Sequence, residues 1–403
     1  MAPPGHRFRT PFTTLCQHVL SLRRDPASWA HFSDASPSAP IESAAADASQ
    51  PRRKLTPRDF GLGTQRAPPP PPQTMAEQRL RLFLGHLRPS PNPVSQGAVT
   101  SQHGLSSKFR YTLDNGILTP EQRAFYEDNG FIVIKGLVTD EDLERYRDRF
   151  ERICRREVTV PAITIMRDIA IAKSKVAQDH SSVTKVQDFQ EDPILFQYCQ
   201  LPEILKYVES FTGPDIMAVH SMLINKPPDP GQKSSRHPLH QDLHFFPFRP
   251  AERIVCSWTA MQHIDRENGT LVVLPGTHKG DLKPHAYPKW EGGVNKLYLG
   301  LRDFDSTAPR FHLSMEKGDT VFFHPLLIHG SGMNRTNGFR KSISCHFASS
   351  QCHYIDVKGT SQENIEEELV DMARRVMGKD VKVSLRDIWH FKAKVVKGKR
   401  LQL

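Results

Sequence analysis

Two periods alternate along the chain. Apolar positions recur at helical spacing between residues 119 and 153, and from 216 to 348 they come in short runs that read as strands. Thr119-Pro120-Glu121-Gln122 carries a helix start, with a threonine cap, a proline in the first turn and a glutamine placed to close a capping box. Thr139 through Asp142 repeats that logic, and Leu143, Tyr146, Phe150 and Ile153 follow on one face. A third helix is predicted over 202–212, stopped by Gly213-Pro214. A final one, capped by Thr360 with Glu363, carries Ile365, Leu369, Met372 and Val376 and stops at Gly378. Strands are predicted over 216–225, 236–243, 253–263, 270–274, 310–316, 320–323 and 340–348, with Asn268-Gly269 as a hairpin-turn signal between two of them. Helices outside and many short strands inside give a mainly β fold with flanking α-helices, a sandwich or jelly-roll.

Residues 1–74 break the pattern. They hold 13 of the 32 prolines, five of them in a row at 68–72, among many Ala, Ser and Arg. Such a segment buries too little apolar surface to offset its ordering entropy, so we read 1–74 as a disordered extension. Met75 then opens "MAEQRLRLFLGHLRPS", which reads as a second beginning, with 1–74 supplied by an upstream start or an alternative first exon. Arg79-Leu80, five residues, then His86-Leu87 is similar to the type-2 peroxisomal targeting signal, an amphipathic nonapeptide read by an import receptor. The expected organisation is therefore 1–74 extension, 75–109 targeting peptide and linker, and 110–403 one folded domain.

Composition excludes several classes. No apolar run approaches the roughly 18 residues of a membrane span. Six cysteines are scattered without a C-x-x-C pair, which argues against a disulfide framework and for a reducing compartment. "CHFASSQCH" at 345–353 lacks a usual zinc spacing and reads as one strand plus one loop. The net charge of +10 is spread, +4 over residues 1–74 and +6 over the remainder. No basic block with interleaved aromatics appears, so nucleic acid is not the expected partner. A mildly basic surface also suits a phosphate-bearing substrate.

The chemistry gathers in "HPLHQDLHFFPF", 237–248. On a strand, His240, Asp242 and His244 alternate onto one face, and such a polar row needs water, partners or a metal. H-x-D lacks one distant histidine to complete a two-histidine, one-carboxylate set, and "GDTVFFHPLLIHGSGMN" offers both His324 and His329. Eleven residues after His329, Arg340 opens the alternating run "RKSISCHFA". A guanidinium there can clamp a carboxylate through two parallel hydrogen bonds. H-x-D, a far histidine and an arginine beyond it read together as a 2-oxoglutarate oxygenase. On the bland reading the histidines are satisfied core residues, Asp242 caps a turn and Arg340 pairs at the surface. That account leaves the spacing unexplained.

Residues 75–403 resemble the phytanoyl-CoA dioxygenase family, through "TKVQDFQED", "MLINKPPD", "SRHPLHQDLHFFPFRP", "NGTLVVLPGTHKG", "YPKWEGGVNK" and "EKGDTVFFHPLLIHGSG". The resemblance implies a cupin-like double-stranded β-helix and Fe(II) ligands His240, Asp242 and His329, with His237, His244 and His324 left aside. It implies Arg340 and Ser331 on the distal carboxylate of 2-oxoglutarate, Lys185, Met222 and Trp258 lining that pocket, and Gln241 in the same neighbourhood. Read from composition alone, Met222 and Trp258 are core residues and Lys185 a solvated charge. The resemblance further implies 2-hydroxylation of phytanoyl-CoA and similar 3-methyl-branched acyl-CoAs, the first step of peroxisomal fatty-acid α-oxidation, with ascorbate as iron reductant. Asp242 favours hydroxylation over halogenation, since related halogenases lack the carboxylate. A non-catalytic jelly-roll module that binds acyl-CoA or metal is the alternative. Lys283, Lys289 and Lys296 are candidates for the CoA phosphates.

Overall fold

The computed structural model describes residues 109–167, 183–229, 231, 235–290, 293–302, 304, 308–377 and 382–403. The expected extension, the R-L-x5-H-L element with Arg79, Leu80, His86 and Leu87, and the helix stop at Gly378 lie outside the described residues.

The first two helix starts are where the caps place them, whereas the last helix opens at Glu363 and not directly after Thr360, whose hydroxyl accepts from the Gln362 amide in the preceding turn. α1 (Pro120–Asn129) begins at Thr119, whose hydroxyl accepts from the Gln122 amide while the Gln122 side chain accepts from the Thr119 amide. α2 (Asp140–Cys154) is capped by Thr139 and buries Leu143, Tyr146, Phe150 and Ile153. Each such side chain contributes roughly 1.5–3 kcal/mol on burial. α3 (Pro202–Thr212) adds Ile204, Leu205, Val208 and Phe211 to the same core. Near the C-terminus, α4 (Glu363–Met377) and α5 (Leu385–Lys392) join a second core through Ile365, Leu369, Leu385 and Trp389.

Strands fill the space between. In chain order they are β1 (Phe131–Ile134), β2 (Thr164–Arg167), β3 (Val183–Gln187), β4 (Ile216–Lys226), β5 (His237–His240), β6 (Phe248–Arg249), β7 (Ile254–Ala260) and β8 (Leu271–Val273). They continue with β9 (His285–Ala286), β10 (Gly300–Leu301), β11 (Phe311–His312), β12 (Thr320–Phe323), β13 (His329–Ser331), β14 (Arg340–Ser349), β15 (His353–Tyr354) and β16 (Lys394–Lys397). The major sheet runs β1-β12-β7-β14-β4-β3-β2, with β16 also on β4, and the minor one runs β11-β8-β13-β5. Every pairing is antiparallel. Two sheets interleaved along the chain, flanked by helices, form the expected double-stranded β-helix.

Two expectations are corrected. The strand over 236–243 ends at His240, and Asp242 opens a 3₁₀ turn, Asp242–Phe245, so strand alternation does not carry Asp242 and His244. Asn268-Gly269 does form a turn, with Gly269 at φ +82°, but β7 and β8 belong to different sheets and do not pair. The corner is instead fixed by Asp265 Oδ1, which accepts from the amides of Glu267 and Asn268. A Cβ on Gly269 would lie 2.8 Å from the Gly332 carbonyl oxygen. Gly330 matters for closeness alone: a Cβ there would sit 2.9 Å from the His237 carbonyl oxygen, so β13 reaches β5 only without a side chain.

Candidate metal and co-substrate site

His329 and His240 are direct register partners across β13 and β5, and their rings lie 4.3 Å apart. Each Nδ1 donates to a nearby carbonyl at 2.9 Å, His240 to Pro238 and His329 to Leu327. Those partners assign the proton to Nδ1 and leave a bare lone pair on each Nε2. Asp242 Oδ1 lies 3.2 Å from His240 Nε2 and 3.6 Å from His329 Nε2. Burial pushes the His329 imidazole down to about 4, so it is neutral at physiological pH. Burial pushes the Asp242 carboxyl up, but its histidine neighbours, His329 and His346 foremost, outweigh it and hold it well below the usual carboxylate range, so it stays an anion. Three acceptor atoms thus converge with no hydrogen among them. A cation relieves that repulsion, and two imidazoles with one carboxylate suit Fe(II) with one side left open.

The other histidines fall elsewhere. His324 sits in an aromatic cluster with Tyr111 and His278, its Nδ1 accepting from the Leu326 amide. Between the two distant candidates, then, only His329 reaches Asp242. His244 is buried against His285, ring centroids 4.3 Å apart, and His237 lies on the pocket wall against Tyr298. A second cluster, Asp242, Cys256 and His346, has donor atoms as close together. There burial and the neighbouring Asp242 charge raise the Cys256 thiol well above its usual range, which keeps it protonated and a poor ligand.

The pocket continues from the triad toward Arg340, along one face of the major sheet. Arg340, Ser342, Ser344 and His346 share that face of β14, opposite Lys226, Ile224, Met222 and His220 of β4. Trp258 on β7 pairs with Ser344, and Lys185 on β3 pairs with Ile224. Arg340 is 2% exposed; it donates to Ser342 Oγ and the Gly269 carbonyl, and among the described residues no carboxylate pairs with it. Its Nε has no partner there either. Burial lowers its pKa to about 10, which still leaves it charged. A buried, uncompensated guanidinium is a strong receptor for an anion. Ser331 stands beside it, accepting from Lys226 Nζ at 2.8 Å, and the Arg340 guanidinium lies 5.4 Å from the Trp258 ring centroid. Lys185 is buried, with Nζ 5.2 Å from the Tyr298 ring centroid, and burial takes its pKa down to about 8.

Gln241 is placed differently from the other expected pocket residues. Its amide donates to the carbonyls of Asp281 and Leu326 and accepts from the Lys283 amide, so it braces the loops beside the triad. Lys226 and His346 escaped the sequence reading. Lys226 is the register partner of Arg340, and its Nζ donates to Ser331 Oγ and to the carbonyls of Ser235 and Gly332, which ties Ser331 into the pocket wall. The signal for His346 was present: polar residues at every second position of a run otherwise buried.

The family model described as phytanoyl-CoA dioxygenase (PhyH) matches residues 126–342. The chain is 63% identical over 336 residues to "Phytanoyl-CoA dioxygenase, peroxisomal" of Homo sapiens, covering 82% of this chain and 99% of that protein. It is 52% identical over 304 residues to "Probable phytanoyl-CoA dioxygenase" of Caenorhabditis elegans, covering 73% and 97%. Among solved structures, EctD from S. alaskensis with bound Fe aligns with a TM-score of 0.46 at 14% identity, over 60% of this chain and 80% of that one. That level leaves the assignment to the sequence relatives. The chain belongs to the phytanoyl-CoA dioxygenase family. It is an enzyme of the dioxygenase class.

Proposed function

We propose that the chain catalyses the Fe(II)- and 2-oxoglutarate-dependent 2-hydroxylation of phytanoyl-CoA and similar 3-methyl-branched acyl-CoAs, the first step of peroxisomal α-oxidation. One observation carries the reading: a single pocket has three converging metal-ligand lone pairs at one end and a buried guanidinium without a carboxylate partner among the described residues at the other. When bound, Fe(II) with 2-oxoglutarate and O₂ supplies an oxidant strong enough for the C–H bond beside the thioester carbonyl, the co-substrate leaving as succinate and CO₂.

The chain's part is geometry and exclusion of water. His240, Asp242 and His329 hold the metal from one side. Arg340 and Ser331 take the distal carboxylate of 2-oxoglutarate, Lys185 adds a positive charge, and Met222 and Trp258 wall the co-substrate with apolar surface. Ascorbate would keep the iron ferrous. Lys283, Lys289 and Lys296 are exposed, Lys296 directly after the pocket-lining Asn295, and remain our candidates for the CoA phosphates. The Homo sapiens and Rattus norvegicus relatives are named peroxisomal, and we assign the address to Arg79, Leu80, His86 and Leu87, read by the type-2 import receptor. A hydroxyl at C2 is useful because a 3-methyl branch blocks β-oxidation.

The test is an anaerobic titration with Fe(II) and 2-oxoglutarate, followed by phytanoyl-CoA and then O₂. The expected result is a visible metal-to-ligand band, perturbed by the acyl-CoA, with succinate released on aeration. Absence of the band refutes the reading. Acyl-CoA binding without succinate release would instead make the chain a binding module.

A further inference from the structure

Asp242 uses its two oxygens differently. Oδ1 faces the Nε2 atoms of His240 and His329, whereas Oδ2 lies 2.8 Å from His346 Nε2. His346 Nδ1 is buried and has no partner among the described residues, so the ring's proton belongs on Nε2, where it is donated to Oδ2. We propose that His346 is a positioning residue that ties up Oδ2 and so restricts Asp242 to a single metal bond. The inference rests on the metal reading above.

The consequence lies in the count of coordination positions. Two imidazoles and a one-oxygen carboxylate use three of six, which leaves two for the keto-acid end of 2-oxoglutarate and one for O₂. A carboxylate free to swing both oxygens inward would take a fourth, and the co-substrate would compete with the protein for it.

The ring is held in turn. Its β4 register partner His220 stacks on it at 5.9 Å, and Phe246 meets it edge-on at 5.1 Å. Cys256 is its register partner on β7. His220 Nδ1 is 3.0 Å from Asp188 Oδ1, and Asp188 Oδ2 is 3.0 Å from Lys392 Nζ at the end of α5. Asp188 keeps a left-handed backbone, φ +60°, to make these contacts. Support of this kind orients a metal ligand from outside, and its loss typically costs roughly 10–100-fold in metal affinity or activity.

The test compares wild type, His346→Gln and His346→Met loaded with Co(II), reading the visible d–d spectrum and the affinity for 2-oxoglutarate. Glutamine keeps a donor where Nε2 stands, and methionine fills the space without one. Expected are a wild-type-like spectrum and affinity for His346→Gln. His346→Met should retain Co(II), show a changed spectrum before co-substrate is added, and bind 2-oxoglutarate roughly 10–100-fold more weakly. A folded His346→Met with unaltered spectrum and affinity overturns the inference, as does a folded His346→Gln as impaired as the methionine variant. A crystal structure of the wild-type Co(II) complex decides the matter even if His346→Met does not fold: Asp242 bound through both oxygens sinks the idea, and one-oxygen binding with Oδ2 on His346 supports it. Failure of wild type to take up Co(II) would bring down the metal reading itself, whereas normal uptake with an indifferent His346→Met removes only this inference.

Discussion

The two ends of the pocket solve opposite electrostatic problems from different sheets, the triad from the minor sheet and the turn after β5, the Arg340 end from the major sheet. At the triad, two buried imidazoles and one carboxylate converge, and the unmet need is for a cation. At the other end, Arg340 on β14 has no carboxylate partner among the described residues, with Lys185 nearby on β3, and the unmet need is for an anion. Among the described residues, no side chain supplies what either end lacks. On the function we propose, a dianionic keto acid chelated to a divalent metal would satisfy both together, as one site built from a pair of opposites.

The contrast can be broken from either side. Asp242→Ala should have the largest effect, because the triad loses its only charge. Bound iron should drop and hydroxylation should fall by more than the roughly 10–100-fold that an outer partner costs. Iron analysis beside a turnover assay checks this, and near-normal turnover would contradict the ligand assignment. Arg340→Lys should act at the opposite end alone. Replacing a two-pronged clamp by a point charge should cost roughly 1.5–3 kcal/mol, or about a tenfold to hundredfold rise in the 2-oxoglutarate KM, with iron content unchanged. An unchanged KM removes Arg340 from the role.

Lys185 sharpens the comparison through pH. Burial brings its pKa down to about 8, so its positive charge is present below that pH and lost above it. The 2-oxoglutarate KM of wild type should therefore rise severalfold as pH climbs past about 8, and Lys185→Met should flatten the profile. An identical profile in both proteins would deny Lys185 a part in co-substrate binding. Smallest of all, His244→Phe should leave iron content intact, since His244 packs on His285 and not on the triad. Loss of iron in that variant would mean that the ligand set is drawn wrongly.

Much of this was legible in the residues, but not all for the reason that made it legible. Thr119 and Thr139 announce their helices because a cap is a local hydrogen bond, complete within four residues. Arg340 and His240 could be placed on strands because alternation survives wherever a strand is regular. Asp242 was picked for its strand parity, yet the chain turns at Gln241 and brings the carboxylate round through a 3₁₀ turn. The spacing held a usable clue, and its geometric interpretation was different. The choice between His324 and His329 was beyond spacing, because it depends on which one pairs with β5 across more than eighty residues of chain. Lys226 was missed because its place beside Arg340 comes from register, and register is not local. His346 showed in the alternation of β14, but the contact that matters comes from Asp242 in a turn, which no strand pattern announces.

β14 connects these threads. Arg340 and His346 stand on the same strand, six residues apart, so the proposed co-substrate clamp and the proposed brace on Asp242 belong to one rigid ruler of roughly 3.3 Å per residue. Its graduations come in twos. One residue inserted between them would turn one end away from the pocket and disconnect the anion receptor from the metal. Two would keep both facing inward, but about 7 Å too far apart for a five-carbon keto acid to span.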